Sequence, residues 1–342
     1  LINNPKQDTI MAHEIDFTND RANVAYVGQL PWHGLGQELT YDAPIETWRK
    51  EAGMDWQVND ADLVFNNAIG ESITFPDRRV LYRSDSSAPL GVVSSNYKVV
   101  HPAEALEFFR DLVDGHGFQL ETAGCLFGGR KYWALAKTGE SVKIMGEDEV
   151  KPYLLLATSC DGSMATSVHL TSVRVVCNNT LRMSIGDNGQ NAQIRVPHSA
   201  QFEPEIVKNQ LGIVGGAWEE FVININRLAG FKIDRDLAIQ IVADELKKEW
   251  KKPDGSPMNT DEMFDSSTVL RRIIKLYDDE SLGNNLISSK GTAWGLVNAV
   301  TEYFDHEAGG RRADKSRAFE RAHLTDRAAL KVSVTNKLLE VC

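Results

Sequence analysis

Near residue 200 the hydrophobic pattern changes its period, and that change bounds what the chain can fold into. Before it, short apolar runs alternate with turn signals, the mark of strands. Trp56-Gln57-Val58, Leu63-Val64-Phe65, Ile73-Thr74-Phe75, Val80-Leu81-Tyr82 and Leu90-Gly91-Val92-Val93 are such runs. After Pro204 the apolar residues recur every three or four positions, as in Val207, Leu211, Val214, Trp218, Phe221, Val222 and Ile225, which is helical spacing. That stripe predicts a helix over 206–228, with more over 234–250, 261–277, 292–304 and within 313–339. The expected class is therefore α+β. A mixed sheet with helices and a β-hairpin occupies 11–200, and a helical subdomain occupies 201–342. Residues 1–10 read as a leader or disordered stretch, because Met11-Ala12-His13-Glu14 looks like a natural start.

Two helices should interrupt the strands. One spans 43–52, with Asp42 as N-cap, Pro44 in the first turn and Gly53 as the stop. The other starts at Pro102 and ends at Gly115, with Ala105, Leu106, Phe108, Phe109, Leu112 and Val113 along one face. A hairpin over 118–126 and 131–137 should turn at Gly128-Gly129, since paired glycines accept the positive φ of a tight reversal. Strands at 153–158 and 164–177 should flank a turn at Asp161-Gly162.

With 42% hydrophobic residues in 342, the chain has material for a real core. No run of about 18 uncharged apolar residues occurs, so a membrane span is not expected. The net charge is −11, which argues against a polycation wrapped on nucleic acid but permits a local basic groove. Residues 311–342 alone are basic, with eight Lys or Arg against four Asp or Glu. Cys125, Cys160, Cys177 and Cys342 form no C-x-x-C and the histidines form no H-E-x-x-H, so no metal is expected and the cysteines read as small core filler. These features point to the cytoplasm.

Several stretches invite chemistry. Gly124-Cys125-Leu126-Phe127-Gly128-Gly129-Arg130-Lys131 imitates a phosphate loop but lacks the Lys-Ser/Thr pair that holds phosphate and Mg²⁺. It reads as a hairpin turn, and no nucleotide cofactor is expected. The same turn sets Arg130 and Lys131 beside Tyr132, a mixture of cations and rings suited to single-stranded nucleic acid. Pro31-Trp32-His33-Gly34-Leu35-Gly36 lacks a third glycine and a preceding strand, so it is a packed turn. Asp161, Ser163 and His169 allow a hydrolase triad to be imagined, but without a G-x-S-x-G elbow. Arg174 lies in the apolar run before Cys177 and needs a counter-charge, either an internal carboxylate such as Asp161 or a phosphate.

A set of motifs, taken in order, resembles a known family. It comprises Pro31 to Gly36, Asn96-Tyr97-Lys98-Val99-Val100 leading into the Glu104 to Phe109 helix, and Glu121-Thr122-Ala123-Gly124 with Gly128-Gly129-Arg130. Leu156 to Ser163, Val173 to Leu181, and Gly291-Thr292-Ala293-Trp294-Gly295-Leu296 with Asn298-Ala299 complete it. The chain is similar to the phage/plasmid-like protein family, built on a domain of unknown function. The resemblance implies origin in a phage, prophage or plasmid and a bacterial host cytoplasm, and it brings no catalytic residues. The strand–helix–hairpin order is similar to that of single-strand annealing proteins.

The expectation is a non-enzymatic, homo-oligomeric protein that binds or anneals single-stranded DNA. Arg130, Lys131, Arg174 and Arg182 would contact phosphates, Tyr132 would stack, and Arg311 and Arg312 would form a second basic site. The competing expectation is an oligomeric interaction or structural protein that does not touch nucleic acid. Oligomerisation is expected because Trp218, Phe221, Trp250, Trp294 and Phe304 give the helical part large apolar surface.

Overall fold

A computed structural model describes residues 15–18, 21–28, 35–139, 141–174, 179–182, 184–185, 190–191, 193–210, 217–246, 249–308 and 326–342. Residues 1–10, Pro31 to Gly34, Cys177, Arg311 and Arg312 lie outside them.

The strands are β1 (Phe17–Thr18), β2 (Arg21–Ala22), β3 (Val24–Val27), β4 (Gln37–Leu39), β5 (Val58–Asn66), β6 (Ser72–Arg83) and β7 (Pro89–Ser94). They continue as β8 (Gln119–Leu126), β9 (Lys131–Lys137), β10 (Val142–Ile144), β11 (Asp148–Ser159) and β12 (Thr166–Arg174). The last are β13 (Asn179–Arg182), β14 (Ser184–Ile185), β15 (Gln190–Asn191) and β16 (Gln193–Val196). Helix α1 (Ile45–Glu51) precedes β5, and α2 (Pro102–His116) lies between β7 and β8. From Pro204 onward the elements among the described residues are helices: α3 (Pro204–Gln210), α4 (Ala217–Gly230), α5 (Arg235–Glu245), α6 (Thr260–Ser266), α7 (Thr268–Lys275), α8 (Ala293–Glu302) and α9 (Asp326–Val341). The fold is α+β.

The main sheet has the order β13-β12-β11-β9-β8-β3-β4, with β10 added to β11 and β16 to β12. All its pairs are antiparallel except β3–β4. A separate three-stranded sheet, β5-β6-β7, merges the short runs read from the sequence into two long strands and one short one. Helix α2 forms where its apolar period and Pro102 placed it. Glu104 and His101 close a capping box, and Gly117 ends the helix in the left-handed region. Helix α1 differs in its start: Pro44 is the N-cap, and the helix has no side-chain cap. The expected 261–277 helix breaks at Ser267, whose hydroxyl accepts the Leu270 amide at 3.3 Å and starts α7 afresh.

One continuous set of buried side chains joins the two parts. It runs from Leu154, Leu156 and Val168 in the sheet, through Phe108 and Phe109, to Ile239, Val242, Leu296, Val300 and Leu338. Phe221, Trp294 and Phe304 are buried within it, and Trp218 and Trp250 pack against it. The apolar surface on which oligomerisation was expected is therefore spent on the chain's own core. A smaller cluster on the other face of the sheet holds Val24, Leu126, Trp133, Leu135, Tyr153 and Leu155. Among the described residues no helix is long and apolar enough to cross a membrane.

A polar latch pins the halves together. Asp148 opens β11 and is fully buried. Its Oδ2 accepts from the Ser288 hydroxyl at 2.8 Å and from the Trp294 indole N–H at 2.9 Å. Asp148→Ala strands both donors in the interior, for which a loss of about 1–3 kcal/mol is expected. Asp148→Asn keeps an acceptor and should lose less. Urea unfolding followed by tryptophan fluorescence measures both, and equal midpoints for the three proteins would remove the latch.

Candidate nucleic-acid interface

The β8–β9 turn forms at the two glycines, in the four residues 127–130 that the expected strands left between them. Phe127, Gly128 and Gly129 all have positive φ (57°, 70° and 90°), and a short 3-10 turn connects the strands. The turn is seated, not projecting. A Cβ on Gly129 would lie 2.7 Å from the Trp56 ring and 2.8 Å from an Arg83 nitrogen. Glycine is therefore required by close approach as well as by backbone conformation.

Arg83 is the fixture beneath. Its guanidinium, almost wholly buried, meets Asp16 at 2.7 Å and Asp85 at 2.8 Å, and also donates to the Gly128 carbonyl at 3.3 Å. It lies 4.3 Å from the Trp56 ring centroid. Burial alone would lower its pKa, but the Asp85 bond and the Asp16 and Asp85 charges raise it on balance. The Cys160 amide donates to the Arg130 carbonyl at 2.9 Å and its thiol to the Gly129 carbonyl at 3.3 Å. Burial pushes that thiol up to about 12, which disfavours its thiolate form.

On this mount Arg130 is exposed, with its Nε donating to the Phe127 carbonyl at 2.9 Å. Lys131 is half-buried, and its Nζ lies 5.2 Å from the Phe127 ring. Tyr132 is corrected. Its ring is buried with 1% exposure, meets Trp56 edge-on at 6.2 Å, and its hydroxyl donates to the Val100 carbonyl. Such a ring cannot stack on a base. Side chains alternate across a strand, so Lys131 and Tyr132 point to opposite faces and Tyr132 takes the core.

The other expected cations do not join these two. Along β11, Ser159 pairs with Lys131 while Val150 pairs with Arg174, a separation of about 30 Å at strand rise. Arg182 pairs with Thr171, which pairs with Tyr153, some way back toward the Arg174 end. Arg174 is likewise too far from Asp161, in the turn beyond Ser159, for the ion pair considered between them. A cation the sequence did not single out sits closer. Arg195 of β16 pairs with Ser167, which pairs with Ala157, which pairs with Trp133. That row shares a face with Lys131, and Arg195 is exposed. It was missed because the polar stretch before it carries no strand signal.

The triad Asp161, Ser163 and His169 is not assembled. The Asp161 carboxylate accepts the Ser163 amide at 2.8 Å, a turn-forming bond. His169 is buried in β12 opposite Leu155, about 13 Å of strand away from Ser159. Among the described residues no group of three or more His, Cys, Asp or Glu is placed to hold a metal ion.

At the same end of the sheet, His198 stacks on Tyr97 at 4.3 Å and donates through Nδ1 to the Lys98 carbonyl at 2.7 Å. The Tyr97 hydroxyl donates to the Ser159 carbonyl at 2.8 Å.

A family model, the domain of unknown function DUF932, matches residues 89–328, and the chain belongs to that family. No curated protein and no solved structure matches it. The match starts at β7, so β5 and β6 precede it.

Burial holds His198 below its ordinary pKa, against the pull of the Lys98 and Met164 carbonyls. The unfolded chain therefore binds this proton more readily. Its contribution to stability is complete above about pH 6.5 and is lost as pH falls toward the folded value. Thermal unfolding from pH 7 to 5 should show that decline, and His198→Phe should flatten it. An unchanged slope in the variant would exclude His198 as its source.

Proposed function

We propose that this chain is a non-enzymatic, oligomeric protein of a phage or other mobile element that binds or anneals single-stranded DNA in recombination or replication. It acts in the host cytoplasm without a cofactor. The observation that carries the reading is the cation group at one end of the main sheet: Arg130 exposed on a clamped turn, Lys131 beside it and Arg195 on the same face. A fixed mount means that little ordering entropy opposes contact with a phosphate. With Tyr132 in the core, the interface works by charge, leaving bases free to pair. Repetition of the group in an oligomer adds avidity.

A second reading, an interaction protein that does not touch nucleic acid, is favoured by the net charge of −11 and by the exposed apolar residues of β5 and β6.

Fluorescence anisotropy of a labelled oligonucleotide over a salt series separates the two. Each phosphate neutralised on a single strand contributes about 0.7 to the log–log slope. Arg130→Ala with Lys131→Ala should weaken binding across all sequences and flatten the slope, and adding Arg195→Ala should flatten it further. Wild-type binding by the folded triple variant would clear this surface. No salt-dependent binding by wild type would end the nucleic-acid reading in favour of the second.

A further inference from the structure

We infer that the outer part of the β5–β6 hairpin is a dimerisation arm that pairs with the same arm of a second copy of this chain. The base of the hairpin belongs to the core, through Val58 and Leu81. Beyond Asp62 the arm leaves the body. Val64 is 55% exposed, Phe65 49%, Ile69 79%, Ile73 40% and Phe75 45%. Phe65 lies directly opposite Ile73, and Phe75 follows two residues on, so the three share one face. A two-stranded ribbon has no second layer to cover that face, and alone it is barely stable in water.

The exposure is held in a fixed shape. The Asn67 side chain accepts the Ile69 and Glu71 amides at 3.0 Å each, and the Gly70 amide returns to the Asn67 carbonyl at 3.0 Å. Between Asp62–Arg79 and Val64–Thr74 the register shifts, leaving several β6 residues opposite Leu63. Such bulges are built features that bend a strand.

Charge identifies the occupant. From Leu63 to Phe75 the one ionisable side chain is Glu71, and the Asn67 amide holds it at 2.9 Å. The bulge beyond Phe75 adds Asp77 and Arg78, whose charges offset each other, so a nucleic acid would meet no net positive charge on the arm. Two copies carrying −11 each repel across most of their surfaces, and the apolar face of a projecting arm with few charges is where they can meet. The outer edge of β5 is also unpaired among the described residues, an exposed edge of the kind proteins normally cover. Antiparallel pairing about Val64 sets Val64 against its own counterpart, Leu63 against Phe65 and Asp62 against Asn66. No like charges face each other, and the two apolar faces become one.

This inference is independent of nucleic-acid binding, and its test contains none. Light scattering at micromolar concentration should give twice 38.0 kDa or an even multiple. Phe65→Asp with Ile73→Asp should halve that mass with an unchanged circular dichroism spectrum. Val64→Cys should form a disulfide-linked dimer under mild oxidation, a readout that does not depend on the double variant folding. A wild-type monomer of 38.0 kDa, an assembly whose mass the double variant leaves unchanged, or absence of the Val64→Cys cross-link would each overturn the proposal. Binding of a monomer to neutral phosphatidylcholine vesicles through the arm would assign it to a lipid surface instead.

Discussion

The fold depends on placing the Asp148 carboxylate where water cannot reach it. A buried acceptor is tolerable only with well-aimed donors, and its donors come from Ser288 and Trp294, some 140 residues along the chain. The Gly291-Thr292-Ala293-Trp294-Gly295 stretch delivers them. Thr292 caps α8, accepting the Gly295 amide at 3.0 Å and donating to the Ser288 carbonyl at 2.6 Å. Gly295 must be glycine because a Cβ there would sit 2.0 Å from the Ser289 carbonyl oxygen. The indole then points to β11, and the helical part has one seating on the sheet. Apolar burial supplies most of the free energy but has no direction. The latch supplies direction.

A second buried polar centre shapes the far end of the sheet. Arg83 gathers Asp16, Asp85, Trp56 and the Gly128 carbonyl, and so ties the three-stranded sheet and the N-terminal strands to the β8–β9 turn. Its charge is fully paired inside the protein. The charge available to a ligand belongs to Arg130, one turn further out, whose backbone this arrangement immobilises. Core cation and surface cation thus divide the work: one fixes the loop, the other faces solvent.

Legibility in the sequence followed the locality of the signal. Helix α2 was readable because Pro102 and the three- and four-residue spacing lie within one segment, although the helix runs past the expected stop at Gly115 and ends at Gly117. The β8–β9 hairpin was readable from two apolar runs and a glycine pair. The long strands β5 and β6 were not, because their outer halves are solvent-exposed and Pro76 interrupts β6. Tyr132 was misassigned for a related reason. Tyr132, Trp133, Ala134, Leu135 and Ala136 are all buried, since both faces of β9 are covered. A strand covered on both sides loses the alternation that tells inside from outside. The burial of Arg83 could not be read either, because its partner Asp16 is 67 residues away. Arg195 emerged only from a register running through four strands.

The acidity of the chain and a basic contact surface are compatible once distance is considered. At physiological ionic strength charges are screened over about 8 Å. The carboxylates of α5 to α7 belong to the helical part, whereas Arg130 and Lys131 are neighbours on a turn of the sheet, with Asp161 in the adjoining turn and Arg195 three strands away on the face of Lys131. A phosphate at that turn responds first to the groups within a screening length. Net charge instead governs how whole molecules approach: like copies repel, and approach by their uncharged parts is favoured. The two proposed surfaces would then follow opposite electrostatic logic, the sheet end binding through charge and the arm through its apolar face. Assembly through the arm would leave the cations unobstructed, because the arm contributes none of them.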